Sequence, residues 1–196
     1  MTKVLITGGV GFFGHHFVEH LLRNTNWEIV ILDRLDISGN LNRLTDIEIW
    51  EKEKHRIQFY FHDLKAPLNG FAKDAIGGVQ YIFHLAASTH VDRSIEDPLL
   101  FAQDNVIGTV NLLNFAKEIP NLEKFFNFST DEVYGPASEG YTFKETDMHN
   151  PKNPYAASKS GQEAFGIAFH NTYELPIITT HTMNIFGERQ HSEKFI

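Results

Sequence analysis

The apolar run Val4-Leu5-Ile6 leads straight through Thr7 into Gly8-Gly9-Val10-Gly11-Phe12-Phe13-Gly14, and this junction constrains the fold more than any other stretch. Gly8, Gly11 and Gly14 keep a G-x-x-G-x-x-G spacing between a predicted strand over residues 3–7 and a predicted helix over 11–23. Glycines here permit a tight turn, close backbone approach to a ligand, and close packing of helix on strand. Unpaired N–H groups at the helix start would face an anion such as a pyrophosphate. A glycine-rich turn without a ligand is the alternative reading.

The rest of the chain repeats the same alternation. Short apolar runs at 28–33, 56–62, 79–85, 124–129 and 176–181 read as strands. The stretches 41–54, 99–117 and 154–173 read as helices. Near-continuous apolar strands between helices indicate a parallel sheet covered on both faces. Right-handed crossovers make it a doubly wound, Rossmann-type α/β sheet. Residues 135–153 are polar, glycine-bearing and too long for a simple connection, which suits a binding segment.

Composition narrows the partners. The 196 residues carry a net charge of −8, so binding to a nucleic-acid backbone is not expected. A bound nucleotide is still possible, since backbone amides can hold its phosphates. Cysteine is absent, which leaves no disulfide framework and no thiolate metal site. Neither a signal peptide nor a membrane-length apolar run is present, so a cytoplasmic protein is expected. No metal-ligand spacing is evident among the 11 histidines.

Three further places carry chemistry. Asp33 ends the second predicted strand about 20 residues past the glycines, where a carboxylate bonds an adenosine ribose. An acid there repels a 2′-phosphate and favours NAD over NADP, although adjacent Arg34 could accommodate that phosphate. A strand-end turn residue is the plainer reading of Asp33. Asp63 has two readings, an adenine contact and a turn or cap acid. Tyr155 and Lys159 lie four apart on a predicted helix that Asn153-Pro154 starts, so they share a face. A phenol near a cation can become a base for a hydroxyl proton. Ser129-Thr130-Asp131-Glu132 follows an apolar strand, where such a polar string is costly unless it faces a site. A polar cap at a strand–helix junction is its alternative.

Together these motifs resemble the extended short-chain dehydrogenase/reductase superfamily, and within it the dTDP-glucose 4,6-dehydratases. The likeness runs over nearly the whole chain: the glycine motif, Leu85-Ala86-Ala87-Ser88-Thr89-His90, Ser129-Thr-Asp-Glu-Val-Tyr-Gly135, Asn153-Pro-Tyr-x-x-Ser-Lys159 and the tail from Asn184. The resemblance implies an NAD surface built from Gly8, Gly11, Phe12, Phe13 and Gly14, from Asp33, Arg34, Asp63 and Leu64, from Leu85, Ala86 and Ala87, and from Tyr155 and Lys159. It implies a nucleotide-sugar substrate contacted by Ser88, His90, Thr130 and Asn184. It also implies catalytic roles. Thr130 orients the sugar 4-hydroxyl and assists Tyr155, the base, while Lys159 supports the phenolate and the nicotinamide ribose. Hydride passes from C4 to NAD, Glu132 removes the C5 proton, Asp131 protonates the departing C6 hydroxyl, hydride returns to C6, and Glu132 returns a proton to C5. The two adjacent carboxyls must then begin in opposite protonation states.

The chain departs from the family pattern in places. Ser88 and Thr89 stand where Glu-Ser is common, which puts substrate contacts near Ser88 in doubt. His90 has a second reading as a helix-start residue. His15 and His16 replace a small hydroxyl residue, and His15 either crowds the phosphates or bonds them. Family members are considerably longer. Residues 1–183 are therefore expected to form an NAD-binding domain, and 184–196 to begin a truncated substrate-binding region. The resemblance also implies a homodimer built on two long helices, the one after the fourth strand and the Tyr155 helix. Two other functions remain open: an epimerase or decarboxylase of the same superfamily, and a non-catalytic NAD-binding remnant.

Overall fold

The computed structural model describes residues 1–190. Six strands form one parallel sheet: β1 (Lys3–Thr7), β2 (Glu28–Asp33), β3 (Ile57–Phe61), β4 (Tyr81–His84), β5 (Lys124–Thr130) and β6 (Ile177–Thr182), in the order β3-β2-β1-β4-β5-β6. Every pairing is parallel, with Val4 opposite Ile29 on one side and Tyr81 on the other. The expected doubly wound sheet is thus present. Strand order reverses between β1 and β4, and their carboxyl ends open the crevice in which such sheets bind ligands.

Side-chain alternation along the strands divides the core into two layers. Val4, Ile6, Ile29 and Ile31 pack with Val18, Leu21 and Leu22 of α1 (Phe12–Asn24). Leu5, Val30, Leu32, Ile82 and Phe125 pack on the other face, under α4 (Gly70–Ile76) and α7 (Gly108–Ala116). Phe169 of α8 (Pro154–Tyr173) joins that second layer.

One expected helix is broken. Residues 41–54 form two single turns, α2 (Asn42–Thr45) and α3 (Trp50–Glu53). Between them Asp46-Ile47-Glu48-Ile49 includes two β-branched residues and a poor helix former. Leu44 and Ile47 are nevertheless buried against α1. The expected helix over 99–117 is also interrupted. After α5 (Val91–Glu96) and α6 (Pro98–Phe101), a π turn covers Ala102–Ile107 before α7 begins. Such turns recur at functional positions, and this one buries Asp104 and Asn105 beside the site. Residues 135–153 contain no helix or strand.

Candidate active site

The glycine turn forms because no other residue fits. Gly8 has φ +72, and a Cβ there would stand 2.8 Å from Ala86 N. A Cβ on Gly14 would lie 2.0 Å from Gly8 O, so turn and helix touch through backbone alone. Gly11 caps α1 without a side-chain hydrogen bond, leaving the helix start uncovered by its own chain. Phe12 and Phe13 open the helix, and Phe13 packs on Phe128 of β5 with ring centroids 5.6 Å apart. His15 is buried; Nδ1 lies 2.9 Å from Gly11 O, and Nε2 has no protein partner. Burial lowers its pKa, and the bond to Gly11 O opposes that shift.

Asp33 stands at the carboxyl end of β2 and accepts from Val10 N at 3.2 Å and Leu35 N at 2.9 Å. Burial raises its pKa, and those two backbone bonds oppose the rise. Arg34 does not point freely into the crevice. Its guanidinium donates to both oxygens of Asp104, at 2.6 and 2.7 Å, and to Asp36 at 3.0 Å. Burial alone would raise the Asp104 carboxyl, but bonds from Arg34 and from Ser88 Oγ at 2.6 Å hold it below its ordinary range. Asp63 accepts from Lys65 N at 3.0 Å and so closes its own turn. Leu64 is buried against Gly108.

Beneath the glycines runs a buried relay. Thr109 Oγ1 gives its own proton to Asn105 O at 2.6 Å and so accepts from His84 Nε2 at 2.8 Å. That leaves Nδ1 of the neutral ring to accept from Thr7 Oγ1 at 2.8 Å, while Thr7 Oγ1 accepts from Ala86 N at 3.2 Å. Burial pushes the His84 pKa down to about 3, with the Lys159 charge adding to the effect. Leu85 N bonds Thr7 O at 3.2 Å, and Ala86 and Ala87 follow at the crevice floor. Asn105 secures the next segment, accepting from Ser88 N at 2.8 Å while donating to Ser88 O and to Ser158 Oγ. His90 is the N-cap of α5 and accepts from Arg93 N, which matches the helix-start reading of that residue.

The acidic triplet occupies the carboxyl end of β5. Thr130 caps the 3-10 turn Asp131–Tyr134, accepting from Glu132 N at 3.3 Å. Its hydroxyl donates to Asp131 Oδ1 at 3.3 Å, and it stands near enough to Tyr155 to lower that phenol's pKa. Glu132 Oε2 accepts from Asn153 Nδ2 at 3.0 Å. Asp131 lines a cavity of about 590 Å³ under residues 135–137 and 143–145. The two carboxyls therefore have different surroundings, which different starting protonation requires.

Tyr155 and Lys159 lie on the buried face of α8, as their spacing predicts. Burial pushes the Tyr155 phenol up to about 12; Thr130 opposes the rise, while Glu132 and Asp131 add to it. The Lys159 amine points away from solvent, to Phe128 O at 2.5 Å and Gln162 Oε1 at 2.7 Å. Burial lowers its pKa to about 7, against the pull of Glu163. Asn184 is exposed beyond β6.

Several contributors had no site role assigned from the sequence. Asn153 orients Glu132, Ser94 Oγ accepts from Tyr155 N at 3.0 Å, and Gln162 anchors Lys159. Asn153 had a sequence signal as the residue before the helix-starting proline, but only for capping. The fold also gathers His149, Glu163 and His181, whose ligand atoms lie within 4.8 Å of one another. Their separation along the chain hides this cluster from any spacing rule. No helix among the described residues is long and apolar enough to cross a membrane.

Known proteins resemble this chain in sequence and fold. The chain is 38% identical over 193 residues to the low-salt glycan biosynthesis protein Agl12 of Haloferax volcanii, covering 98% of this chain and 60% of that protein. It is 36% identical over 217 residues to the dTDP-glucose 4,6-dehydratase of Salmonella typhimurium, covering 99% of this chain and 57% of the relative. The crystal structure of DesIV, a dTDP-glucose 4,6-dehydratase from Streptomyces venezuelae with NAD bound, superposes with a TM-score of 0.90 at 36% identity. That match covers 100% of this chain and 60% of DesIV. A UDP-glucose 4-epimerase of Thermus thermophilus, in complex with NAD, gives a TM-score of 0.81 at 31% identity, over 97% of this chain and 58% of the epimerase. The chain thus spans about 60% of the length of the relatives it matches. The GDP-mannose 4,6 dehydratase family profile matches residues 5–196, and the chain belongs to that family.

Proposed function

We propose that this chain carries the cofactor-binding and catalytic part of an NAD-dependent nucleotide-sugar 4,6-dehydratase acting on dTDP-glucose. The observation that carries the reading is the placement of Thr130, Asp131 and Glu132 at the end of β5, with Thr130 beside the Tyr155 phenol and Glu132 held by Asn153. Residues 1–183 then serve as the NAD-binding domain, and 184–196 begin a substrate-binding region. Residues 191–196 of that region lie outside the described residues.

The crevice fits a dinucleotide. A Cβ at Gly8 or Gly14 would fill the turn, the start of α1 has no side-chain cap, and Asp33 stands buried at the end of β2. Pyrophosphate would meet the α1 N–H groups, and Asp33 the adenosine ribose. Arg34, tied to Asp104, is spent on the protein's own acid rather than on a 2′-phosphate, which supports NAD over NADP. Bound NAD supplies a hydride acceptor at C4 and later a hydride donor at C6.

The chain's own residues supply the proton chemistry. Tyr155 starts as a phenol, since burial pushes its pKa up to about 12. The positive charge of a bound nicotinamide would favour the phenolate, and Tyr155 would then take the 4-hydroxyl proton that Thr130 orients. Glu132, directed by Asn153, removes the C5 proton once C4 is a ketone. Asp131, at the cavity wall, protonates the departing C6 hydroxyl, and when C6 is reduced Glu132 returns its proton to C5.

Epimerases share the fold, but C4 epimerisation has no task for two adjacent carboxyls. A homodimer through the helices from α6 to α7 and α8 is part of the proposal. Leu99, Ile107 and Phe165 lie exposed on these helices and supply apolar surface for it. Cytoplasmic placement is proposed with it.

The test uses the protein with NAD, dTDP-glucose and the substitution Glu132→Gln. Wild-type protein should release a 4-keto-6-deoxy sugar nucleotide. Glu132→Gln should still reduce NAD but lose elimination by roughly 10²–10⁴-fold. Unchanged product formation by the variant contradicts the assignment.

A further inference from the structure

Behind the triplet, two histidines bracket one buried carboxylate. His149 belongs to the 135–153 segment, Glu163 to α8 and His181 to β6. Glu163 Oε2 lies 2.9 Å from His181 Nε2 and 3.5 Å from His149 Nε2. A tetrahedral zinc ion with bonds of about 2.0–2.2 Å sets its ligands roughly 3.3 Å apart. The two distances fall on either side of that value.

The outer atoms of Glu163 and His149 are also occupied. Glu163 Oε1 accepts from Ser129 Oγ. His149 Nδ1 lies 2.8 Å from Ser160 Oγ. Partners of this kind fix the ring orientation and tautomer of metal-binding histidines. In the tautomer in which His149 Nδ1 donates to Ser160, the Nε2 lone pair faces Glu163, and a cation between them turns repulsion into two bonds. Tyr134 Oη lies 3.3 Å from His181 Nε2. Tyr134 and His181 also line the 590 Å³ cavity, so the phenol or a water can complete the coordination.

We propose that His149, Glu163 and His181 form a structural site for a divalent cation of the zinc class. Two imidazoles and one carboxylate suit that class better than magnesium or calcium, which prefer oxygen ligands. The cation would replace the proton between His181 and Glu163 and pin the 135–153 segment to β6 and α8. Through Ser129 it would brace the residue before Thr130. It takes no part in the redox or elimination steps, and the inference holds whichever sugar nucleotide the protein uses.

The test is cobalt substitution in the complete protein after chelator treatment. About one Co²⁺ per chain should bind with the visible bands of a tetrahedral ion, and Zn²⁺ should displace it. His149→Gln and His181→Gln should each abolish those bands, while His16→Gln keeps them. Both substituted histidines are partly exposed, so the core is left in place; Glu163 is not varied because Ser129 and both rings depend on it. Zinc-induced NMR shifts of the His149 and His181 imidazoles in unmodified protein give a readout free of any folding defect. No saturable cobalt binding, bands that survive both substitutions, or unmoved imidazole resonances would overturn the proposal.

Discussion

Asn153 joins the start of α8 to the acidic turn: Oδ1 accepts from Ala156 N at 2.7 Å, and Nδ2 donates to Glu132 Oε2 at 3.0 Å. One side chain therefore caps a helix and aims a carboxylate. Asn153→Ala should lose both functions, with about 1 kcal/mol of stability going with the cap. Asn153→Ser keeps a capping oxygen and loses the bond to Glu132. Thermal melts and turnover separate the two roles. The serine variant should melt near wild type with slowed elimination, whereas equal turnover in all three proteins would leave Glu132 without a positioning partner.

Gly14→Ala tests the crevice. Its Cβ would stand 2.0 Å from Gly8 O, in backbone that cannot swing aside. The turn must open, and calorimetry should record loss of NAD binding. A substitution at the neighbouring half-buried Glu19, Glu19→Ala, should leave NAD affinity unchanged.

Asp104→Asn would remove the anionic partner of Arg34 and of Ser88 Oγ. Hydrogen bonds to charged groups support a loss of about 2 kcal/mol, read as a lower urea midpoint. The native Asp104 pKa is depressed, so its stabilisation is present above the unfolded carboxylate value and fades as pH falls below it. The gap between wild type and variant should therefore narrow in acid.

His84 gives a separate acid signature. Its native pKa is about 3, against 6.5 in the unfolded chain. Between those values the unfolded chain binds a proton that the native chain does not, so stability falls as pH drops through the window. Above it His84 has no effect. Urea midpoints should decline from about pH 6.5 downward in wild type, and less steeply in His84→Gln. Parallel slopes would show that Thr7 and Thr109 do not hold a neutral ring.

Much of the fold was legible because its strands are apolar runs with sharp ends. β1 and β2 match their expected bounds, and α8 begins at the proline that marks it. The split of residues 41–54 was not legible, because burial of Leu44 and Ile47 keeps an amphipathic pattern over two separate turns. Tyr155, Thr130 and Glu132 could be read as neighbours, since a strand end and a helix start converge on one crevice. The direction of the Lys159 amine could not. It depends on Phe128 O and Gln162, partners whose placement needs the packed sheet. The His149–Glu163–His181 cluster is likewise a product of tertiary contact, assembled from a loop, a helix and a strand.

The central claim is that one crevice oxidises C4, eliminates water across C5 and C6, and returns hydride to C6. The direct measurement is proton NMR of the product formed from dTDP-glucose and NAD in deuterium oxide. The account predicts a 4-keto-6-deoxy sugar with deuterium at C5, placed there by Glu132, and no net change in NAD. A C4-epimerised sugar that keeps its 6-hydroxyl and its C5 proton would contradict it.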